Sequence, residues 1–347
     1  MKKLTLIALV TLGLTACKKE NSTSTTTEKD SLAQVQNPGD SLSSPALEKA
    51  LAIEEKNGVY TQSFQLVKGA TYPLTTFQRS IQKLTGPDGK SQTATSQSTD
   101  VMNFSVEDFK DGVYDIKIHL EGKSSSQTAG GKTVGVDTKG KAPSDPQLKM
   151  MWNINKALTG NTLAMKMKST GEVISIAGFD PIYDKISTVA AKEIKDAEQR
   201  KGFLASFKDS FNEEAIKTQF STNLMVLPKE GAKIGQQWSE TENASPDGKV
   251  KLTTRYTLES VKDGLVTIKV AGGIPKKSDE RTNEGVTHKV SSELSQSGTV
   301  TLDQKTGWIK NQNVSVKTTQ NESLSDGKQS ESMKSEATTT VIVNPEK

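Results

Sequence analysis

The sequence predicts a mainly β protein with a central helical segment, in which two related antiparallel β halves form a curved sheet or an incomplete barrel. Three observations carry this reading. From about Val59 onward apolar and polar residues alternate with a period of two, the spacing of strands buried on one face only. Asp-Gly dipeptides punctuate the alternating runs, and they favour the tight turns at which antiparallel strands reverse. Runs and turns also recur in the same order in the two halves of the chain, the mark of an internal repeat.

In the first half, residues 59–180, Tyr114, Ile116, Ile118 and Leu120 alternate with Asp115, Lys117 and His119. Leu163, Met165 and Met167 alternate with Ala164, Lys166 and Lys168. In the second half, residues 228–343, Val266, Ile268 and Val270 alternate with Thr267 and Lys269, and Val314 and Val316 repeat the pattern. The turn order in the first half is Lys68-Gly69-Ala70, Pro87-Asp88-Gly89-Lys90, Lys110-Asp111-Gly112, then Thr170-Gly171-Glu172-Val173. The second half repeats it as Glu230-Gly231-Ala232, Pro246-Asp247-Gly248-Lys249, Lys262-Asp263-Gly264, then Thr306-Gly307-Trp308-Ile309. Spacings shorten along the second copy while the order holds, which points to a duplication with trimmed loops.

Between the halves, residues 181–227 form the helical connector. Pro181 suits the first turn of a helix, and Ile182, Ile186, Val189, Ala190 and Ile194 follow helical spacing. Phe203, Phe207 and Phe211 fall four residues apart, and Ala215 and Ile216 continue the stripe. Two readings stand: the three rings line a lipid-binding cavity, or the helix packs its apolar face on the sheet. A shorter apolar piece, Leu148, Met151, Trp152 and Leu158, is expected to pack in the same way.

The N-terminus supplies an address. Lys2 and Lys3 precede an apolar run from Leu4 to Leu14, too short to span a bilayer and shaped like a secretory signal over residues 1–16. Leu14-Thr15-Ala16-Cys17 resembles the bacterial lipobox, and Cys17 stands where that motif places the lipidated cysteine. Removal of the signal takes Lys2 and Lys3 with it and halves the formal charge of +4, so the basic excess does not argue for nucleic acid. The acyl chains attached to such a cysteine suffice for stable anchoring. Residues 17–50 are rich in Ser and Thr and poor in apolar residues, the composition of a disordered tether.

Composition excludes several classes. Only 33% of residues are hydrophobic and the mean hydropathy is −0.55, which rules out a polytopic helical membrane protein. One Cys and two His rule out a disulfide framework and a Cys/His zinc cage. His119 and His288 lie in polar settings, and no nucleotide-binding, zinc-protease or EF-hand motif occurs. The chain is therefore expected to be no enzyme, with no catalytic residue, no metal and no cofactor, and without the strand aromatics that stack nucleic-acid bases.

With its lipobox, Ser/Thr tether and two β-rich halves around a central helix, the chain resembles an uncharacterised family of Bacteroidota envelope lipoproteins. By architecture it is also similar to the curved-sheet lipoprotein carriers and receptors of the periplasm, a likeness of fold alone. That family has no assigned function; the chain's own features lead to the expectation of a membrane-anchored, non-catalytic lipoprotein of the cell envelope, at the outer membrane, with a hydrophobic or glycan-like ligand in a concave sheet lined by the apolar strand faces and the Phe stripe. The alternative is a structural or protein-interaction lipoprotein with a filled core.

Overall fold

Alternation becomes strand over most of the body. The computed structural model describes residues 51–245 and 248–346. In chain order these form β1 (Ile53–Lys56), β2 (Val59–Gln62), β3 (Thr71–Thr85), β4 (Ser91–Lys110), β5 (Val113–Ala129) and β6 (Lys132–Asp137). There follow α1 (Pro146–Leu158), β7 (Thr162–Lys168), β8 (Val173–Ala177), α2 (Asp180–Glu193), α3 (Ala197–Ser210) and α4 (Glu213–Leu224). The chain ends with β9 (Gln237–Asn243), β10 (Lys251–Lys262), β11 (Leu265–Asn283), β12 (Val286–Asp303), β13 (Ile309–Ser325) and β14 (Ser330–Val343).

β1 and β2 pair with each other. The other twelve strands make one antiparallel sheet in the order β8-β7-β5-β4-β3-β14-β13-β12-β11-β10-β9, with β6 beside the far part of β5. Its first and last strands, β3 and β14, meet in the middle. The sheet is curved and does not close into a barrel, so β8 and β9 are its edges. Glycines help it bend. An added Cβ at Gly272, Gly273 or Gly298 would run into the backbone of the neighbouring strand, and side-chain-free positions inside strands mark such bends.

The repeated turns occupy matching connections. Pro87-Asp88-Gly89-Lys90 links β3 to β4, and the segment holding Gly248 and Lys249 links β9 to β10; Pro246 and Asp247 lie outside the described residues. Asp111-Gly112 and Asp263-Gly264 close the next hairpin of each half, with φ of 51° and 76° in one and 54° and 75° in the other. Two successive positive φ values match the right-handed twist of the strands they join. Gly171 and Gly307 close β7–β8 and β12–β13. Segment 62–65 spans both of these turns, Phe64 N donating to Ser169 O at 2.7 Å and Gln65 N to Thr306 O at 3.1 Å.

The core sits at one end of the sheet. Ile116, Ile118, Leu163, Met165, Met167, Val266 and Ile268 are all buried there, beneath the helices. Fully burying a side chain of this size contributes about 1.5–3 kcal/mol. Gln62 ties this end together. Its Nε2 donates to Leu224 O and Gly307 O at 2.9 and 3.2 Å, and its Oε1 accepts from Val226 N and Leu227 N at 2.9 and 3.1 Å.

The helices differ in two respects from the sequence pattern. Of the piece expected to pack on the sheet, Leu158 reaches the core, whereas Met151 is exposed and α1 buries Ile154 and Asn155 instead. The Phe stripe does not continue as one helix through Ala215, because α3 ends at Ser210 and α4 restarts at Glu213. Asn212 adopts an extended conformation and its side chain accepts from Ala215 N, so it caps α4. α4 then covers the β8 edge: Glu213 Oε1 accepts from Ile176 N, and Lys217 Nζ donates to Ile174 O. Side chains here take up backbone groups that a bare edge would offer to another strand.

Candidate functional site

Cys17, the signal segment and the tether lie outside the described residues. Phe203, Phe207 and Phe211, expected either to line a cavity or to pack on the sheet, are packed into the core. Phe207 and Phe211 are 1% and 3% exposed, and Phe203 packs against the same cluster. Their ring centroids follow one another at 6.4 and 5.5 Å, with Tyr183 6.2 Å from Phe207 and Phe179 5.5 Å from Phe211. The three rings pack on one another, with Phe207 and Phe211 in the core and Phe203 at its margin. His119 contacts Thr162 Oγ1 at 3.1 Å, and the half-exposed His288 lies 2.7 Å from Glu322.

The sheet offers a different surface. Beyond the core its longest strands run on with side chains accessible on both faces, as in residues 274–283 of β11 and 315–325 of β13. Register identifies the inner face, the one that carries the core. On β10 it holds Leu258, Tyr256 and Thr254 in alternation, and the last two lie opposite Trp238 and Glu240 of β9. Across β11 the same row continues through Gly272 to Gln296 of β12.

These residues form a compact patch where core gives way to solvent-facing sheet. The Trp238 and Tyr256 rings stack with centroids 5.6 Å apart and planes inclined by 17°. Gln296 is 4% exposed. Its amide leans across the bare Gly272 and places Nε2 2.5 Å from Thr254 Oγ1. Two buried atoms of the patch have no hydrogen-bond partner, Trp238 Nε1 and Gln296 Oε1. Burial, then the neighbouring Glu242, raises the Glu240 carboxyl above the usual carboxylate range, against a hydrogen bond with Tyr256. Burial, then both carboxylates, pushes the Tyr256 phenol well above its ordinary range.

Sequence reasoning missed this patch. Its one signal was the presence of Trp238 and Tyr256 on polar strands of a chain with only 5% aromatic residues.

In the first half the inner face carries a buried ion pair. Lys123 Nζ lies 2.5 Å from Asp100 Oδ1, with side chains 9% and 8% exposed. Burial outweighs the lysine and holds the Asp100 carboxyl above its usual range. A hollow of about 300 Å³ opens along β3–β6, with Phe77, Thr99, Ser124 and Asp137 in its walls. Among the described residues no group of three or more His, Cys, Asp or Glu is placed to hold a metal ion, and no helix is long and apolar enough to cross a membrane.

No curated protein matches the chain. Among solved structures, lipovitellin, determined in a study of lipid–protein interactions, is 12% identical with a TM-score of 0.36. The match covers 81% of this chain and 26% of that one, so the chain spans about a quarter of lipovitellin's length. OccK7 (OpdD) of Pseudomonas aeruginosa is 8% identical with a TM-score of 0.18, over 79% of this chain and 98% of that one. Rhodopseudomonas blastica porin, as a triple mutant, is 8% identical with a TM-score of 0.17, over 78% of this chain and all of that one. Scores this low transfer nothing about ligands or assembly. A family model fares better: residues 111–309, more than half of the chain, match it, and the chain belongs to that family of unknown function, DUF6263.

Proposed function

We propose that this protein is a lipid-anchored lipoprotein of the cell envelope, at the outer membrane, that works by binding and not by catalysis, and that its ligand lies on the inner face of the sheet beyond the core. One observation carries the proposal: the strands run past the packed end with both faces accessible. A stretch of sheet that buries neither face adds little hydrophobic stabilisation. Of the hydrophobic and glycan-like ligands expected from the sequence, its polarity suits the glycan-like one better. The lipobox at Cys17 and the tether behind it support the anchoring, and the polar, accessible settings of His119 and His288 support the absence of catalysis.

The packed Phe stripe favours a second reading, a structural or protein-interaction lipoprotein that meets partners through its exterior. Native mass spectrometry of protein extracted from membranes separates the two. A reproducible co-purified lipid or glycan supports the binding reading, and a ligand-free protein that carries a stoichiometric protein partner supports the second. Metabolic acyl labelling tests the anchor independently. Label should be present in the wild type and absent from Cys17→Ala, and label that persists in the variant refutes the anchoring.

A further inference from the structure

We propose that the hollow along β3–β6 is a second binding site, on the face of the sheet opposite the one that carries the core, and that it takes a short neutral saccharide. Phe77 stacks on the sugar ring, while Gln97, Thr99, Ser124, Ser126 and Asp137 bond its hydroxyls.

Register places the site. Thr76, Asp100 and Lys123 lie opposite one another on β3, β4 and β5, and all three are buried on the inner face. One residue away, side chains point the other way, so Phe77, Thr99, Ser124 and, on β6, Asp137 form a row across the outer face. Gln97, Ser126 and Gly135 make the next row of that face. Together they wall a hollow of about 300 Å³, at the lower end of the range of small-molecule sites, about 300–1,000 Å³. β5 carries a bulge at Glu121 beside the row, and a bulged strand bends. Gly135 lets β6 lie close against β5, since an added Cβ would fall 2.6 Å from Ser125 O.

Phe77 is the exception among the phenylalanines. Every other one packs against a second aromatic ring, whereas Phe77 has no ring partner among the described residues and stands outside the core cluster. Its polar neighbours are unbonded. Thr99 and Ser124 stand directly opposite each other, as do Gln97 and Ser126, yet among the described residues no protein group bonds any of these four side chains. One row further on, Thr128 Oγ1 and Thr133 Oγ1 do bond each other, at 2.8 Å. Asp137 Oδ1 accepts from Lys139 N at 2.8 Å, and Oδ2 remains open.

A sugar meets all of these groups. Its C–H face suits the negative face of an aromatic ring, and its hydroxyls both donate and accept, as the Ser, Thr and Gln side chains do. An acyl chain would cover the unbonded polar groups without pairing them, and an anion would meet the Asp137 carboxylate.

The test uses the full chain and three defined probes: chitotetraose, cellotetraose and maltotetraose. Binding is read by isothermal titration calorimetry, and folding of each variant is checked by circular dichroism. At least one probe should bind the wild type. Phe77→Leu, which keeps the position apolar but removes the ring face, should weaken it by about fivefold to tenfold. Thr99→Val, a replacement that suits a strand but lacks the hydroxyl, should weaken it by about threefold to tenfold. Lys317→Ala, on β13 and away from the hollow, should leave it unchanged. Lack of binding by all three probes overturns the assignment, as does binding that Phe77→Leu and Thr99→Val leave intact. A ligand found by native mass spectrometry that Phe77→Leu retains sits elsewhere, in which case the binding function stands and this site falls.

Discussion

The Asp100–Lys123 pair offers the sharpest test of how the sheet is held. Both side chains are more than nine-tenths buried, and the charged atoms lie 2.5 Å apart. At an effective dielectric constant of about 20 their attraction is about 7 kcal/mol, while removing each ion from water costs several kcal/mol. The raised Asp100 carboxyl indicates that burial wins. Asp100→Leu or Lys123→Met alone should therefore lose about 3–5 kcal/mol, because each strands one charge in the interior. The double variant should fall within about 1 kcal/mol of the wild type or exceed it. Linkage adds a sign. An acid whose folded pKa is raised contributes stability below its unfolded pKa, and that contribution is lost as pH rises through the folded value. The wild type should thus weaken relative to the double variant over that window. Urea unfolding followed by circular dichroism, repeated across pH, measures all of these quantities. Single variants that each cost less than about 1 kcal/mol, or a double variant that costs their sum, would refute the reasoning.

Three further outcomes are expected. Phe207→Ala should lose about 3–5 kcal/mol in urea unfolding, since it opens a cavity beneath Phe203, Phe211 and Tyr183. Gln62→Ala orphans Val226 N and Leu227 N and should cost about 2–4 kcal/mol, with hydrogen exchange rising first at those two amides. The raised Glu240 carboxyl makes the wild type lose stability as pH rises from the ordinary glutamate range through the higher folded value. Glu240→Gln should flatten that part of the thermal-melting profile, and a profile identical to that of the wild type would show that Glu240 is solvated.

Much of the fold was legible because its rules are local. Alternation at Tyr114–Leu120 and Val266–Val270 named the buried face of two strands, and the structure buries those apolar residues. Paired Asp-Gly turns marked the hairpins, since few residues other than Asn, Asp and Gly accept a positive φ there. The Phe stripe packs, but its continuation to Ala215 does not belong to the same helix, because four-residue spacing survives a helix break. Asn212, followed by Glu213 and Glu214, was the readable sign of that break, a capping residue with acids in the first turn behind it.

The patch on β9, β10 and β12 belongs to a different kind of information. Alternation reports which residues share a face, but a polar face reads the same whether it meets bulk water or a ligand. Only register brings Gln296 across Gly272 to Thr254, more than forty residues away in the chain. It also takes the packed structure to show that Trp238 Nε1 and Gln296 Oε1 are buried without partners. The edges of the sheet sharpen the contrast. Glu213 and Lys217 meet backbone groups of β8, whereas β9 carries the stacked Trp238 and two glutamates at the rim of the patch. Paired acids on an outer strand discourage joining to a second edge of the same sign. One outer strand is thus protected by a covering helix and the other by its own acids, two devices that a pattern of polar and apolar letters does not distinguish.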